Sequence, residues 1–260
     1  IPTEMVFKNS PHFKLINNTS LSLENYYNLK KLCEKIKIDF ISTPFDLKSL
    51  DLLNRVKIHA IKIASMDLNN MQLLSKIRDV STPVILSTGM STVSEIKKSY
   101  KFLNKRNNKI YLLHCISKYP TQIYETSLGF LDDLKKIADW KIGFSDHTVD
   151  EYAGIISVVK GAKIIEKHFT IDNKLPGADN KMSLNPKNMK KFVNKIREAE
   201  IALNNFSNIK KRIDLPNQSS FRRFIFAKEN IMQGEKINDS KISILRSSKS
   251  GKKLTSVSKY

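Results

Sequence analysis

Six short apolar runs recur along this chain at intervals of roughly 20 to 30 residues, the length of one strand–helix unit. They are Lys37–Ser42, Ala60–Ser65, Pro83–Thr88, Lys109–Cys115, Trp140–Ser145 and Ala162–His168. Each is rich in Ile, Val and Leu and nearly continuous rather than alternating. A strand of that kind has no water-facing side, so both faces of its sheet must be covered, as in a parallel sheet clothed by helices. The stretches between the runs are amphipathic at helical spacing. Thr92–Leu103 is predicted to be a helix capped by Ser91 or Thr92, with Glu95 three residues after Thr92 completing a capping box. Val149–Lys160 and Pro186–Leu203 read the same way, the second with Asn185 as cap and Pro186 at the first helical position, where a missing N–H costs nothing.

Two architectures satisfy this repeat: an open doubly wound sheet and a (β/α)8 barrel. No Gly-x-Gly-x-x-Gly or P-loop follows any run, which counts against a nucleotide-binding open sheet. Polar residues stand instead at nearly every strand's C-terminal end: Ser42, Ser65 with Asp67, Ser87, Ser117, Ser145 with His147, and His168. A barrel with its active site at one rim requires such a ring. The expected fold is therefore an α/β TIM barrel of which six of eight units are visible, occupying residues 1–204. Residues 205–220 are polar and read as a linker, and 221–260 as a small β-rich module with a hairpin turn at Met232–Glu235. Its last part, Ser247–Tyr260, is expected to be disordered or unfinished.

Composition narrows the function classes. A chain of 260 residues can bury a sizeable core, and it has no apolar run near the eighteen residues that crossing a membrane takes. No secretory leader is recognisable, and Cys33 and Cys115 lie too far apart to suggest a disulfide framework, so a reducing cytoplasm is the expected compartment. The net charge of +20 comes from lysines spread along helical segments, without the aromatic-interleaved basic stripe of a nucleic-acid interface. No nucleic-acid partner is expected. A basic surface would still steer an anionic small substrate.

His147 and His168 are 21 positions apart, one strand–helix unit, and so fall at equivalent points on neighbouring strands. Two imidazoles with a carboxylate nearby can hold Mn, Fe, Co or Zn; either alone would more often be a hydrogen-bonded residue at a strand end. Asp146 and Glu166 read either as groups that orient those ligands or as surface carboxylates. Lys62 sits inside an apolar strand, so it is either paired with an anion or turned to solvent. With Ser65, Ser87, Ser117 and Ser145 it can bind a phosphate or carboxylate through charge-assisted hydrogen bonds; the bland alternative is that serines merely end strands. Asp67 is either a general acid or base or the cap of a helix over Leu68–Leu74.

Taken together, the runs Phe40-Ile41-Ser42-Thr43-Pro44-Phe45, Lys62-Ile63-Ala64-Ser65-Met66-Asp67 and Ile85-Leu86-Ser87-Thr88-Gly89-Met90 resemble the sialic acid synthase family. So do Leu113-His114-Cys115 with Tyr119-Pro120-Thr121, Gly143-Phe144-Ser145-Asp146-His147-Thr148, and Glu166-Lys167-His168-Phe169-Thr170. Pro176-Gly177-Ala178-Asp179 and Ser183-Leu184-Asn185-Pro186 complete a series in family order over about residues 38–203. The resemblance implies a TIM barrel that condenses phosphoenolpyruvate with an N-acetylated amino sugar, giving a nonulosonic acid and phosphate. It implies that His147 and His168 hold a divalent metal, manganese or magnesium, which polarises the sugar aldehyde. The enol carbon then attacks that carbonyl, water adds to the resulting oxocarbenium-like carbon, and phosphate leaves by C–O cleavage. Asp67 would manage the protons. Lys62, Ser65, Ser87, Ser117 and Ser145 would bind phosphoenolpyruvate, and Tyr119 and Asp179 would face the sugar. A C-terminal antifreeze-like module that covers the partner's active site in a homodimer is also implied, and Arg222–Ala227 through Gly234-Glu235 resembles its opening.

The chain departs from that pattern in places. The family's first two βα units, with an early catalytic Glu and a phosphoenolpyruvate-contacting Lys, are not recognisable, and Ile1–Leu21 resembles the loop after the second strand. The expectation is a barrel lacking those units, a piece of a longer product. Asn180 stands where relatives often carry His, and the module's Arg-bearing turn is not recognisable in Arg246–Gly251. Two other readings compete. A Schiff-base aldolase on the same fold would use Lys62 as nucleophile, and an inactive remnant or basic binding protein would have no turnover.

Overall fold

The computed structural model describes residues 21–106, 109–177, 179–204, 221–246 and 252–253. The chain divides into two compact units, Ile1–Ala202 and Leu203–Tyr260. In the first, β1 (Ile41–Ser42), β2 (Ala60–Ile63), β3 (Val84–Ser87), β4 (Ile110–Cys115), β5 (Ile142–Asp146) and β6 (Ile164–Lys167) form one sheet in sequence order, every pair parallel. Helix α1 (Leu23–Lys35) precedes β1. Helices α2 (Leu47–Val56), α3 (Met71–Arg78), α4 (Val93–Leu103), α5 (Leu131–Ala138) and α6 (Tyr152–Val159) make the five crossovers, and α7 (Pro186–Asn204) follows β6. An in-order parallel sheet with a helix in every crossover is the half-barrel of a (β/α)8 architecture. The α/β fold class read from the repeat is the one observed.

Alternation along each strand divides its side chains between two layers. Ile61, Ile63, Val84, Leu86, Leu112 and Phe144 point outward and pack against Leu53, Leu74, Ile77, Ile96, Leu103 and Leu134 of the helices, all essentially buried. Each such side chain removed from water contributes about 1.5–3 kcal/mol. The inward set is smaller: Ala60, Ile85 and Leu113, with Ile164 packed against them. Above these apolar residues, toward the C-terminal strand ends, the inward positions become polar.

Boundaries shift where backbone chemistry overrides apolar content. The first strand, expected over Lys37–Ser42, is only Ile41–Ser42, because Lys37 takes a left-handed conformation (φ 59°). Its N–H bonds the Glu34 carbonyl while that of Ile38 bonds Cys33, a Schellman closure of α1. The fifth strand begins at Ile142 rather than Trp140, since Asp139 and Trp140 are both left-handed (φ 46° and 65°) in the turn that ends α5. The expected capping box of α4 is present, with Thr92 and Glu95 exchanging bonds, and Asn185 caps α7 through the Asn188 N–H. Helix α3 starts later than Leu68 because Asn70, not Asp67, is its cap, accepting from the Leu73 N–H at 3.2 Å.

The second unit holds an antiparallel sheet in the order β8 (Ile242–Arg246), β7 (Arg223–Ala227), β9 (Lys252–Lys253). The predicted turn exists, with the Glu235 N–H bonding the Met232 carbonyl and Gly234 at φ 87°, but it lies within a longer β7–β8 connection rather than forming a tight hairpin. Lys252–Lys253 pairs with β7 inside the stretch expected to be disordered. The rest of that stretch, and the linker expected at 205–220, lie outside the described residues.

Candidate active site at the strand ends

Period two brings the inward polar residues to one rim. From β2 comes Lys62, from β3 Ser87, from β4 Cys115, and from β5 Ser145 followed by His147. Strand β6 adds Glu166, followed by His168. Lys62 is buried in an otherwise apolar strand, and its partner stands across the sheet: Nζ lies 3.4 Å from Glu166 Oε2. Ser145 Oγ donates to the other oxygen of the same carboxylate at 2.6 Å. One carboxylate thus engages two residues expected to bind an anion, and the contact between β2 and β6 shows how far the half-barrel curls. Ser87 lies on the same inward face. Its Oγ is buried and has no hydrogen-bond partner among the described residues.

The turn after β3 closes against these groups because residue 89 is glycine. Gly89 donates its N–H to Ser65 Oγ at 3.0 Å, and a Cβ placed there would lie 2.5 Å from Ser117 Oγ and 2.8 Å from Ser65 Oγ. Ser65 and Ser117 are thereby drawn to the same spot. Ser117 Oγ also approaches the Cys115 thiol at 4.0 Å.

The two histidines face each other, ring centroids 5.4 Å apart. Tyr119 packs on both, 4.1 Å from His147 and edge-on to His168 at 5.7 Å. His147 Nδ1 lies 2.7 Å from the Ile116 carbonyl. A carbonyl only accepts, so Nδ1 carries the proton and Nε2 keeps its lone pair in the neutral ring. Nε2 is 3.5 Å from Ser145 Oγ. Burial pushes the His147 pKa down, but hydrogen bonds with Cys115 and Ile116 outweigh it, and the net shift is upward. For Cys115, burial pushes the thiol up, yet bonds from His147 and Ser65 win and the pKa falls. His168 is moved down by burial, against the charge of Asp179, whose Oδ2 is 3.8 Å from Nδ1. The downward shift favours the neutral ring, the form that ligates metals.

For the divalent metal that the resemblance implies, the donors present are these two imidazoles, one with its tautomer set by a backbone carbonyl and both oriented by Tyr119. That pattern suits a metal-binding pair. Among the described residues no cluster of three His, Cys, Asp or Glu is gathered, so the two imidazoles alone would make a partial ligand set.

Of the residues singled out from sequence, Lys62, Ser65, Ser87, Ser117, Ser145, His147, His168, Tyr119 and Asp179 gather at this rim. Asp67 is in the 3-10 turn directly after β2, half-buried, and its carboxylate accepts from Asn70 Nδ2 at 2.9 Å. Asp146 and Glu166 are not free surface carboxylates: Asp146 is buried against Lys167, and Glu166 bridges Lys62 and Ser145. Sequence reasoning missed Cys115 as the neighbour of His147, and Lys167 as a buried cation. The Cys115 signal was available, since residues 113, 115 and 117 alternate with the outward Leu112.

The NeuB family model matches residues 3–208. An uncharacterised protein of Methanocaldococcus jannaschii is 42% identical over 248 residues, covering 94% of this chain and 72% of that protein. The N,N'-diacetyllegionaminic acid synthase of Campylobacter jejuni is 34% identical, covering 90% of this chain and 71% of its own length. Among solved structures, the N-acetylneuraminic acid synthetase of Leptospira borgpetersenii, in complex with citrate, superposes with a TM-score of 0.74 at 30% identity, covering 82% of this chain and 76% of that one.

Proposed function

Because the chain belongs to the NeuB family, we propose that it carries the catalytic rim of a synthase that condenses phosphoenolpyruvate with an N-acetylated amino sugar, releasing phosphate and a nonulosonic acid. The observation that carries this reading is the Ser87 hydroxyl, buried and without a hydrogen-bond partner among the described residues, on the same inward face as the buried Lys62. Leaving such a group dry and unpaired costs about 1–3 kcal/mol, a cost recovered when an anionic oxygen arrives to accept from it. Lys62 and Ser145 already hold one carboxylate, that of Glu166, so the geometry for gripping an anionic oxygen pair is preformed. Phosphoenolpyruvate brings a carboxylate and a phosphate to this rim, where Ser65 and Ser117 add hydroxyl donors beside the Gly89 turn.

In this reading Tyr119 and Asp179 border the sugar, lying on the outer side of the histidine pair. A divalent ion, manganese or magnesium, held by His147 and His168 would act as a Lewis acid on the sugar aldehyde. Lys62 and the serines fix the enol carbon toward that carbonyl, so that the C–C bond forms between pre-aligned partners. Asp67, at the end of β2, takes the proton from the water that adds to the neighbouring phosphate-bearing carbon, the sugar's carbonyl oxygen gains a proton as it becomes a hydroxyl, and phosphate then leaves by C–O cleavage as that carbon becomes the keto group. The antiparallel sheet of the second unit is assigned as the start of an antifreeze-like module, and the working assembly as a homodimer.

The test is phosphate release from phosphoenolpyruvate with N-acetylmannosamine and with the amino-sugar precursors of legionaminic and pseudaminic acids. Release that requires both an acceptor and a divalent metal supports the reading. Borohydride trapping of substrate on Lys62, or no release with any acceptor, overturns it.

A further inference from the structure

We propose that the buried Asp146–Lys167 pair, on the helix-facing side of the sheet, sets the separation and aim of the His147 and His168 imidazoles, and so tunes the site's affinity for a divalent cation. The inference rests on the reading that these two histidines hold the ion. Asp146 and Lys167 are register partners on β5 and β6, and each immediately precedes one of the histidines. Alternation turns the pair outward while the histidines turn inward. A link between residues 146 and 167 is therefore a link between the backbones that carry the two rings.

The link is tight and dry. Lys167 Nζ lies 2.8 Å from Asp146 Oδ2, with the two side chains 3% and 0% exposed. The same ammonium donates to the Asp150 carbonyl at 3.0 Å, to Thr148 Oγ1 at 3.2 Å and to the Thr148 carbonyl. Asp146 Oδ1 accepts from the Thr148 N–H at 2.9 Å and from its hydroxyl at 2.8 Å. The turn that leaves His147 is thus wrapped around the lysine, which is why α6 starts at Tyr152 rather than at Val149. Phe192 of α7 closes the site, its ring centroid 5.7 Å from Nζ. It fits because residue 154 is glycine: a Cβ there would meet Phe192 Cζ at 2.5 Å.

A buried ion pair gains little stability over an apolar pair of the same volume. What it offers here is a fixed length and direction between two neighbouring strands, plus a clamp on the 148–150 turn. Groups that hold metal ligands in place typically change metal affinity about 10- to 100-fold when lost; this pair would act on the ligands through the two strand backbones.

The test uses the chelator-stripped chain and titrates Mn2+, reading free ion by its room-temperature paramagnetic resonance signal. The variant is D146N/K167M. The amide introduced at position 146 keeps an acceptor for Thr148, the thioether introduced at position 167 replaces the lysine stem under Phe192, and no charge is left unpaired. Manganese affinity is expected to fall about 10- to 100-fold, while the urea unfolding midpoint and metal-free phosphoenolpyruvate binding stay near wild type. A folded variant with wild-type manganese affinity overturns the inference. Should the double variant not fold, Lys167→Arg, which keeps the charge but changes its reach, is read by the same titration and the same rule. His147→Ala is the control for the underlying reading: if it binds manganese as well as wild type does, the two-histidine site fails, and the inference fails with it.

Discussion

Replacing Ser87 by alanine should move stability and ligand affinity in opposite directions. In the free chain the Ser87 Oγ is buried without a partner among the described residues, a condition costing about 1–3 kcal/mol. Alanine removes the unpaired hydroxyl and leaves only a small void, so a net gain of about 1 kcal/mol is expected, or a melting temperature higher by roughly 2–4 °C for a unit of this size. If the same hydroxyl donates to an anionic oxygen of phosphoenolpyruvate, its loss costs the complex about 1.5–3 kcal/mol, a roughly ten- to hundredfold weaker Kd. The two effects cross on titration. At a phosphoenolpyruvate concentration about 100 times the wild-type Kd, wild type gains about 2.7 kcal/mol by mass action, and a variant bound tenfold more weakly gains about 1.4 kcal/mol. The variant's initial advantage is then consumed. Thermal melts across such a titration, with calorimetric Kd values, check both arms. Ser87→Ala melting below wild type without ligand, or binding phosphoenolpyruvate as tightly, would refute the reasoning.

His147→Ala should abolish metal-dependent turnover while leaving phosphoenolpyruvate binding intact, as calorimetry and a phosphate-release assay can show together. Gly89→Ala forces a Cβ to within 2.5 Å of Ser117 Oγ and 2.8 Å of Ser65 Oγ; kcat/KM should drop about tenfold or more with circular dichroism unchanged. Thr92→Ala removes the α4 capping box and should lower unfolding stability by about 1 kcal/mol without touching turnover. The Asp132 carboxyl is lowered to about 2, through hydrogen bonds from Lys135 and then Lys160. A depressed carboxyl contributes stability that is present above its unfolded pKa near about 4 and is lost as pH falls through the folded value. The stability difference between wild type and Asp132→Asn should therefore be flat above about pH 5 and close between about pH 4 and about pH 2; a difference independent of pH across that window would contradict it.

What the sequence makes legible is whatever depends on neighbours a few positions away. The Thr92–Glu95 box, the Asn185 cap and the alternation that puts Ser145, His147, Glu166 and His168 on one face all have local periods, and each is observed. Lys62 can be narrowed to two fates, yet the choice between them depends on Glu166, far along the chain and four strands across the sheet, which no local pattern encodes. Lys167 is invisible for a related reason. Between Glu166 and His168 a lysine reads as exposed, and only the arrival of Phe192 over Gly154 makes that position dry. Strand starts differ from expectation where apolar content continues through residues that end helices, Lys37 and Trp140 being left-handed. Asp67 loses its capping role to Asn70 because the 3-10 turn Ser65–Asp67 postpones the helix by a few residues.

The alternation of inward and outward side chains also predicts how the chain can drift over generations. Substitutions at Lys62, Ser87 or Ser145 fall on side chains outside the helix-facing apolar layer and should leave a folded protein with weakened substrate binding, whereas changes at Ile61, Leu86 or Phe144 should empty the soluble fraction before chemistry is ever tested. Neighbouring codons in one strand would thus answer to different selection, one for substrate and the next for solubility. Acceptor preference can then be retuned at the rim without renegotiating the core.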